Sequence, residues 1–301
     1  MRLLLIGGNG QVGHELRRAL APLGDVVVTT RDGLLSDRVP SEKLDLAQPP
    51  AVADLVERVA PDAVVNAAAY TAVDRAEDEP GLVHRVNAES PGRIAEACKR
   101  IGAKLVHYST DYVFDGQGIR PYREDDPTAP LGVYGASKLA GEEAIGGSGA
   151  QHVILRTAWV YGLHGSNFLR TMLRLAGERD ELRVVADQIG SPTPAWLIAD
   201  VTAALLRGGI DTSGVFHLVA GGQTSWHGFA EAIMHDAGKA GLLTREPRVL
   251  PITTSEFPTR AARPAYSVLD TARLVEQFQL KLPDWRSALA ATLPTTAGCT
   301  R

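Results

Sequence analysis

Short, almost wholly apolar runs alternate along this chain with longer segments in which charged residues recur on one side of a 3.6-residue period. The runs are RLLLIGG from Arg2, DVVVTT from Asp25, DAVVNAAA from Asp62, KLVHYST from Lys104, HVILRTAWV from His152 and GVFHLVA from Gly214. Between them lie QVGHELRRALAPLG, PPAVADLVERVAP, PGRIAEACKRIG and GASKLAGEEAI. A strand buried on both faces reads as a continuous apolar run, and amphipathic helices between such strands make βαβ crossovers, so the pattern predicts an α/β doubly wound parallel sheet. No fixed-period repeat or low-complexity tract interrupts it. From about Tyr161 the pattern loosens. Proline gathers in GSPTPAW, TREPRVLPITTSEFPTRAARP and KLPDW, and helices are expected to outnumber strands. A first domain over 1–160, its sheet completed by later segments, and a smaller C-terminal α/β domain over 161–301 are the expected division.

The 301 residues suffice for a large core. Lys+Arg 31 against Asp+Glu 35 leaves a formal charge of −4, too balanced for an electrostatic nucleic-acid binder or a membrane adhesive. A small-molecule partner is the expectation that remains. Cys98 and Cys299 stand far apart without clustered ligands, which argues against a disulfide framework or a zinc site. The opening MRLLLI stops at GGNG, too short for a signal segment, and no later run approaches a membrane span, so a cytoplasmic location is expected.

The first chemical signal is IGGNGQVGHEL. Gly8, Gly10 and Gly13 satisfy G-x-G-x-x-G, and Gly7 offers an alternative spacing, where the first strand meets the first helix. Glycines there permit a tight turn and let backbone approach a pyrophosphate at the helix N-terminus. A glycine-rich turn without a ligand is the plainer alternative. The position makes this a Rossmann-type dinucleotide site. After the second apolar run come Thr29, Thr30, Arg31 and Asp32. An arginine at that point suits the 2′-phosphate of NADP, so NADPH is favoured, while Asp32 keeps NADH possible.

VYGASKLAG places Tyr134 four residues before Lys138, one above the other on a helix face. A free phenol has a pKa of about 10, and a nearby cation lowers it, so Lys138 is expected to make Tyr134 a usable general acid toward a carbonyl oxygen. An exposed helical pair without chemistry is the alternative. Ser109 and Thr110 end one apolar run and NAAAYTAVD another, both at the carboxyl edge where open α/β sheets bind ligands.

Together these segments resemble the extended short-chain dehydrogenase/reductases, and within them the dTDP-4-dehydrorhamnose reductases. GGNGQVGHEL, NAAAYTAVDRAEDEP, HYSTDYVFDG, VYGASKLAGE, RTAWVYG, NFLRTMLRLA, FHLVAGGQTSWH and ARPAYSVLDT carry the resemblance in order, from near residue 1 to about residue 275. It implies NADPH-dependent reduction of the C4 ketone of a dTDP-4-dehydro-6-deoxy-L-hexose. Tyr134 would give the proton, Lys138 would depress its pKa and hold the nicotinamide ribose, and Thr110 would donate to the developing alkoxide. Gly7, Gly10, Gln11 and Val12 would approach the pyrophosphate, with Thr30 and Arg31 beside the adenosine ribose. Asp45 and Leu46 would contact the adenine, and Ala67, Ala68, Ala69, Tyr70 and Thr71 the rest of the cofactor. Asp111, Tyr112 and Trp159 would face the sugar nucleotide. Read without the resemblance, Asp45 is equally a helix cap, Trp159 a core aromatic and Asn66 structural.

Some relatives are dimers bridged by a divalent ion, held by a glutamate on the first helix and acids near TPAWLIAD. Glu15 is present, but Trp196 takes the place of the second acid, and an indole offers a hard cation nothing. Neither Mg2+ nor that dimer is expected. Asp200 reads as a solvated or capping carboxylate, and a monomer or weak homodimer is the expected state. A nucleotide-sugar epimerase, another 4-ketoreductase and a non-catalytic NADP-binding regulatory subunit share the architecture.

Overall fold

The computed structural model describes residues 1–243 and 245–293. Cys299 lies outside the described residues. The apolar runs become parallel strands, β1 (Arg2–Ile6), β2 (Asp25–Thr30), β4 (Ala63–Asn66), β5 (Lys104–Thr110) and β6 (His152–Thr157), joined by the two-residue β3 (Glu42–Lys43), which no apolar run marks. A strand from the second half, Gly214–His217, joins them, giving a seven-stranded sheet in the order Gly214–His217, β6, β5, β4, β1, β2, β3. Every pairing in it is parallel. The crossovers are the segments of 3.6 period: α1 (Gln11–Leu20), α2 (Pro49–Val59), α5 (Ser90–Ile101) and α6 (Val133–Gly147), with two short helices, α3 (Val73–Ala76) and α4 (Pro80–His84), before α5. A π-helical turn, Arg85–Glu89, leads into α5.

Alternation within β1 divides the core into two layers. Leu3 and Leu5 face Leu16 and Leu20 of α1, together with Val201 and Leu205. Leu4 and Ile6 face Val52 and Leu55 of α2 and Ile94 of α5. All four of these side chains are buried, and each apolar side chain so removed from water contributes roughly 1.5–3 kcal/mol. Val201 and Leu205 belong to α8 (Ala195–Gly208), which packs on α1. The second half thus supplies both a strand and a covering helix to the first sheet.

A further core gathers Tyr161, Leu169 of α7 (Phe168–Glu178), Phe229 and Ile233 of α9 (Trp226–Lys239) and Leu289. Beside it the strands Glu181–Val185 and Arg248–Ile252 pair in parallel. Among the described residues beyond Tyr161, helices do not outnumber strands, contrary to the pattern-based expectation. Ile189–Gly190, Thr193–Pro194 and Thr224–Ser225 are two-residue ladders, and so short a pairing needs no apolar run and leaves no period-2 signature.

Candidate active site

The chain runs from β1 outward to β2 in one direction and from β4 to β5 in the other, so the carboxyl ends of β1 and β4 flank the crevice where such sheets take ligands. The glycine loop lies on one side of it. Gly7 has φ +93°, and a Cβ there would stand 2.9 Å from the Ala68 nitrogen. Gly7 and Gly8 both donate to the Thr29 carbonyl, at 3.2 and 2.9 Å, which locks the loop to β2. Gly10 is the N-cap of α1, with no side-chain cap and no acid in the first turn. The positive end of the helix therefore faces outward at Gln11 and Val12, beside Gly10, whose missing Cβ leaves the nearest atom 3.4 Å away. These residues fit a pyrophosphate.

Two asparagines that the sequence reading passed over hold this loop. Asn9 donates to Leu34 O at 2.8 Å and accepts from Ser36 N at 2.9 Å. Asn167, the N-cap of α7, donates to Gln11 Oε1 at 2.8 Å. Neither partner is near in sequence, so no local signal marks them.

At the end of β2, Thr30 is buried and Arg31 exposed. Asp32 accepts from Thr30 Oγ1 at 3.0 Å and from Leu34 N at 3.3 Å, and these bonds hold its carboxyl below the usual range. Asp45 accepts from Ala47 N at 2.9 Å, the capping turn that residue type allows on its own. Leu46 sends its side chain into the α2–α5 core, and its carbonyl accepts from Ser90 at 2.6 Å. From the end of β4, Ala67, Ala68, Ala69 and Tyr70 line the crevice half-buried, and Thr71 is exposed. Tyr70 is tied at both ends: its N–H to Asn87 Oδ1 at 2.8 Å and its hydroxyl to Glu79 at 2.7 Å. Asn87 sits in the π-helical turn and also donates to Ser137 of α6 at 3.0 Å.

Thr110, Asp111 and Tyr112 close β5, and α6 brings Tyr134 to them. The Tyr112 and Tyr134 rings meet edge to face, 5.6 Å between centroids. This approach is close because residue 135 is glycine; a Cβ there would run into the Tyr112 carbonyl. Burial pushes the Tyr134 phenol up to about 12 and outweighs the neighbouring Thr110, which favours the phenolate; the Thr110 hydroxyl itself donates to Asp111 Oδ1 at 3.0 Å. The expected depression by Lys138 is not found. Its buried Nζ donates instead to Tyr108 O at 2.7 Å and lies 3.1 Å from His107 Nε2. Burial brings Lys138 itself down to about 8, with Glu142 opposing. Asp111, 2% exposed and with Oδ2 unpartnered, is pushed up to about 6 by burial. A phenol, a hydroxyl and an amine gathered at one strand end, beside a dinucleotide-shaped loop, form an arrangement able to deliver a proton to an oxygen.

Trp159 has φ +48°, and its indole stacks on Trp226 at 3.6 Å, the planes 5° apart. Gly190 leaves room for that indole, where any Cβ would clash. Trp226 is absent from the residues expected at the site; its only trace in sequence is the segment QTSWH.

The divalent-ion site does not fit this chain. Arg18 reaches Asp200 at 2.7 Å and Glu15 at 3.3 Å, so a guanidinium already stands between the two carboxylates, and Trp196 Nε1 donates to Thr292 at 2.9 Å.

A family model described as the RmlD substrate binding domain matches residues 1–297. A dTDP-4-dehydrorhamnose reductase of Burkholderia thailandensis is 50% identical over 300 residues, covering 96% of this chain and 97% of that protein. Two solved structures are also similar. The dTDP-4-dehydrorhamnose reductase of Clostridium acetobutylicum gives a TM-score of 0.87 at 36% identity, covering 97% of this chain and 98% of that one. That of Bacillus anthracis, solved in complex with NADP, gives 0.85 at 36% identity with the same coverage. By sequence, fold and the order of its site segments, the chain belongs to the RmlD family of dTDP-4-dehydrorhamnose reductases.

Proposed function

We propose that this chain reduces the C4 ketone of dTDP-4-dehydro-6-deoxy-L-mannose to dTDP-L-rhamnose with NADPH. The observation that carries the reading is the convergence of Thr110, Tyr134 and Lys138 at the end of β5, across the crevice from the uncapped N-terminus of α1. When bound, the nicotinamide supplies hydride to the carbon. Tyr134 gives its proton to the carbonyl oxygen, and Thr110 Oγ1 donates toward the same developing charge, an interaction that gains strength as the charge forms. Lys138, as an ammonium, holds the nicotinamide ribose. Asp111, Tyr112 and the Trp159 indole take the sugar nucleotide.

NADPH rather than NADH is the donor in this reading. Supporting it are the exposed Arg31 and the engagement of Asp32 Oδ1 by Thr30 and Leu34. Residues 1–160 carry the cofactor and 161–301 mainly the sugar nucleotide, with a cytoplasmic monomer or weak homodimer as the working form. Among the described residues no helix is long and apolar enough to cross a membrane. Purified protein mixed with NADPH and the dTDP-4-keto-L-sugar should consume nicotinamide absorbance in step with product. Loss of substrate without loss of NADPH would point to an epimerase, and no turnover at all to a binding protein.

A further inference from the structure

His107 lies on β5, three residues before Thr110, and is 1% exposed. Its ring touches two polar groups: Nδ1 is 3.1 Å from Asn66 Nδ2 and Nε2 is 3.1 Å from Lys138 Nζ. The polarity of this chain is set at its far end by a group that can only donate. Ala68 N–H donates to Asn66 Oδ1 at 3.2 Å, so the amide turns its NH2 toward the ring and Nδ1 accepts. Burial, with Lys138 beside it, holds the imidazole well below the usual histidine range, hence neutral. Its single proton then stands on Nε2, facing the amine. Other groups around Lys138 pull differently. Glu142, one turn on in α6, favours the ammonium, but its carboxylate is committed to Arg156 of β6 at 2.7 Å. The uncharged Tyr134 lies one turn earlier, and Ser137 and Asn87 face each other at the π-helical turn.

We propose that His107 is a positioning residue for Lys138: it fixes Nζ at the end of β5 and, by pointing Nε2–H at it, favours the free amine over the ammonium. The inference deepens the catalytic reading of Tyr134 and Lys138 and rests on it. A hydrogen bond given to the neutral form of a base makes its proton easier to lose. Such a lysine changes charge within the working pH range of the enzyme, where an ordinary one would stay cationic throughout. Asn66 gains a role by the same route, since its amide dictates the tautomer and joins the Ala68 backbone to the amine.

Histidine-selective 15N labelling of the full chain reads the tautomer directly. The His107 signals, assigned by their loss in His107→Gln and independently by their shift in Asn66→Ala, are expected to show a neutral Nε2–H ring throughout about pH 6 to 9. A proton on Nδ1, or a ring that titrates in that interval, overturns the proposal. The second reading is the pH profile of kcat/KM. In His107→Gln the new amide can present its carbonyl to Nζ, which favours the ammonium, so the alkaline limb should move up by about one pH unit, a tenfold change in ionisation. A slower variant whose limb stays in place indicates a merely structural histidine and overturns the positioning role. If the wild-type chain shows no NADPH-dependent reduction, the activity reading fails, while the tautomer measurement still decides the His107 geometry.

Discussion

Tyr134 and Asp111 are neighbours at the mouth of β5, and burial pushes both toward their protonated forms, with different consequences. For the phenol, protonation is the competent state. Removing its hydroxyl in Tyr134→Phe is expected to lower kcat by about 100-fold or more while leaving NADPH affinity within a few-fold, measured by turnover and by cofactor titration. Lys138, brought down to about 8, sets the other limit: kcat/KM should fall as pH rises through that value, because the ammonium is lost there. For Asp111 the effect is on stability. Its carboxyl is raised from 3.8 to about 6, so between those values the folded chain keeps a proton that the unfolded chain has lost. Its contribution therefore falls as pH rises through that window and stays low above it. Asp111→Asn should raise the melting temperature near pH 7.5 and raise it less near pH 4, by thermal melts at both. Equal shifts at the two pH values would contradict this account of Asp111.

At the scale of elements, the β1–α1 loop separates two uses of glycine. Gly7 lies in the left-handed region with Ala68 backbone against it, so Gly7→Ala should cost about 1–3 kcal/mol of stability as well as cofactor binding. Gly10→Ala meets nothing closer than 3.4 Å within the chain. It should melt like the wild type and lose NADPH affinity, because its methyl takes the space that the pyrophosphate needs; denaturation curves and cofactor titration of both variants separate the two losses. The loop itself was legible in the sequence, as were the sheet strands except two-residue β3, since glycine spacing and apolar runs are local signals. Tyr134 and Lys138 were legible too, through helical spacing. What Lys138 touches was not. Tyr108 and His107 reach it from a strand some 30 residues away, and spacing within one helix carries no information about that neighbour. For the same reason the sequence reading expected Lys138 to lower the Tyr134 pKa, and missed Asn87, Asn167 and Trp226. The Trp159–Trp226 stack joins residues on separate elements, and its only backbone mark is a positive φ at Trp159.

Across the whole molecule, the two halves of the chain are interleaved. Gly214–His217 completes the sheet and α8 covers α1, so the helix that meets the cofactor loop leans on residues contributed from beyond position 160. Arg18 binds those helices together through Asp200, with Glu15 on its other side, and its charge fills the place a cation would take. A chelator in the assay, or its replacement by excess Mg2+, is accordingly expected to leave the rate unchanged; a rate that collapses with the chelator and returns with the metal would refute that part of the account. The chemistry proposed for this site is a direct passage of hydride to the sugar C4 while Tyr134 protonates the oxygen. It is tested most directly with NADPH carrying deuterium at the transferred position of nicotinamide C4, followed by mass and NMR analysis of the product. Direct transfer leaves one deuterium per product molecule, on C4 of the sugar. Product without deuterium there, or deuterium at another sugar carbon, would contradict it.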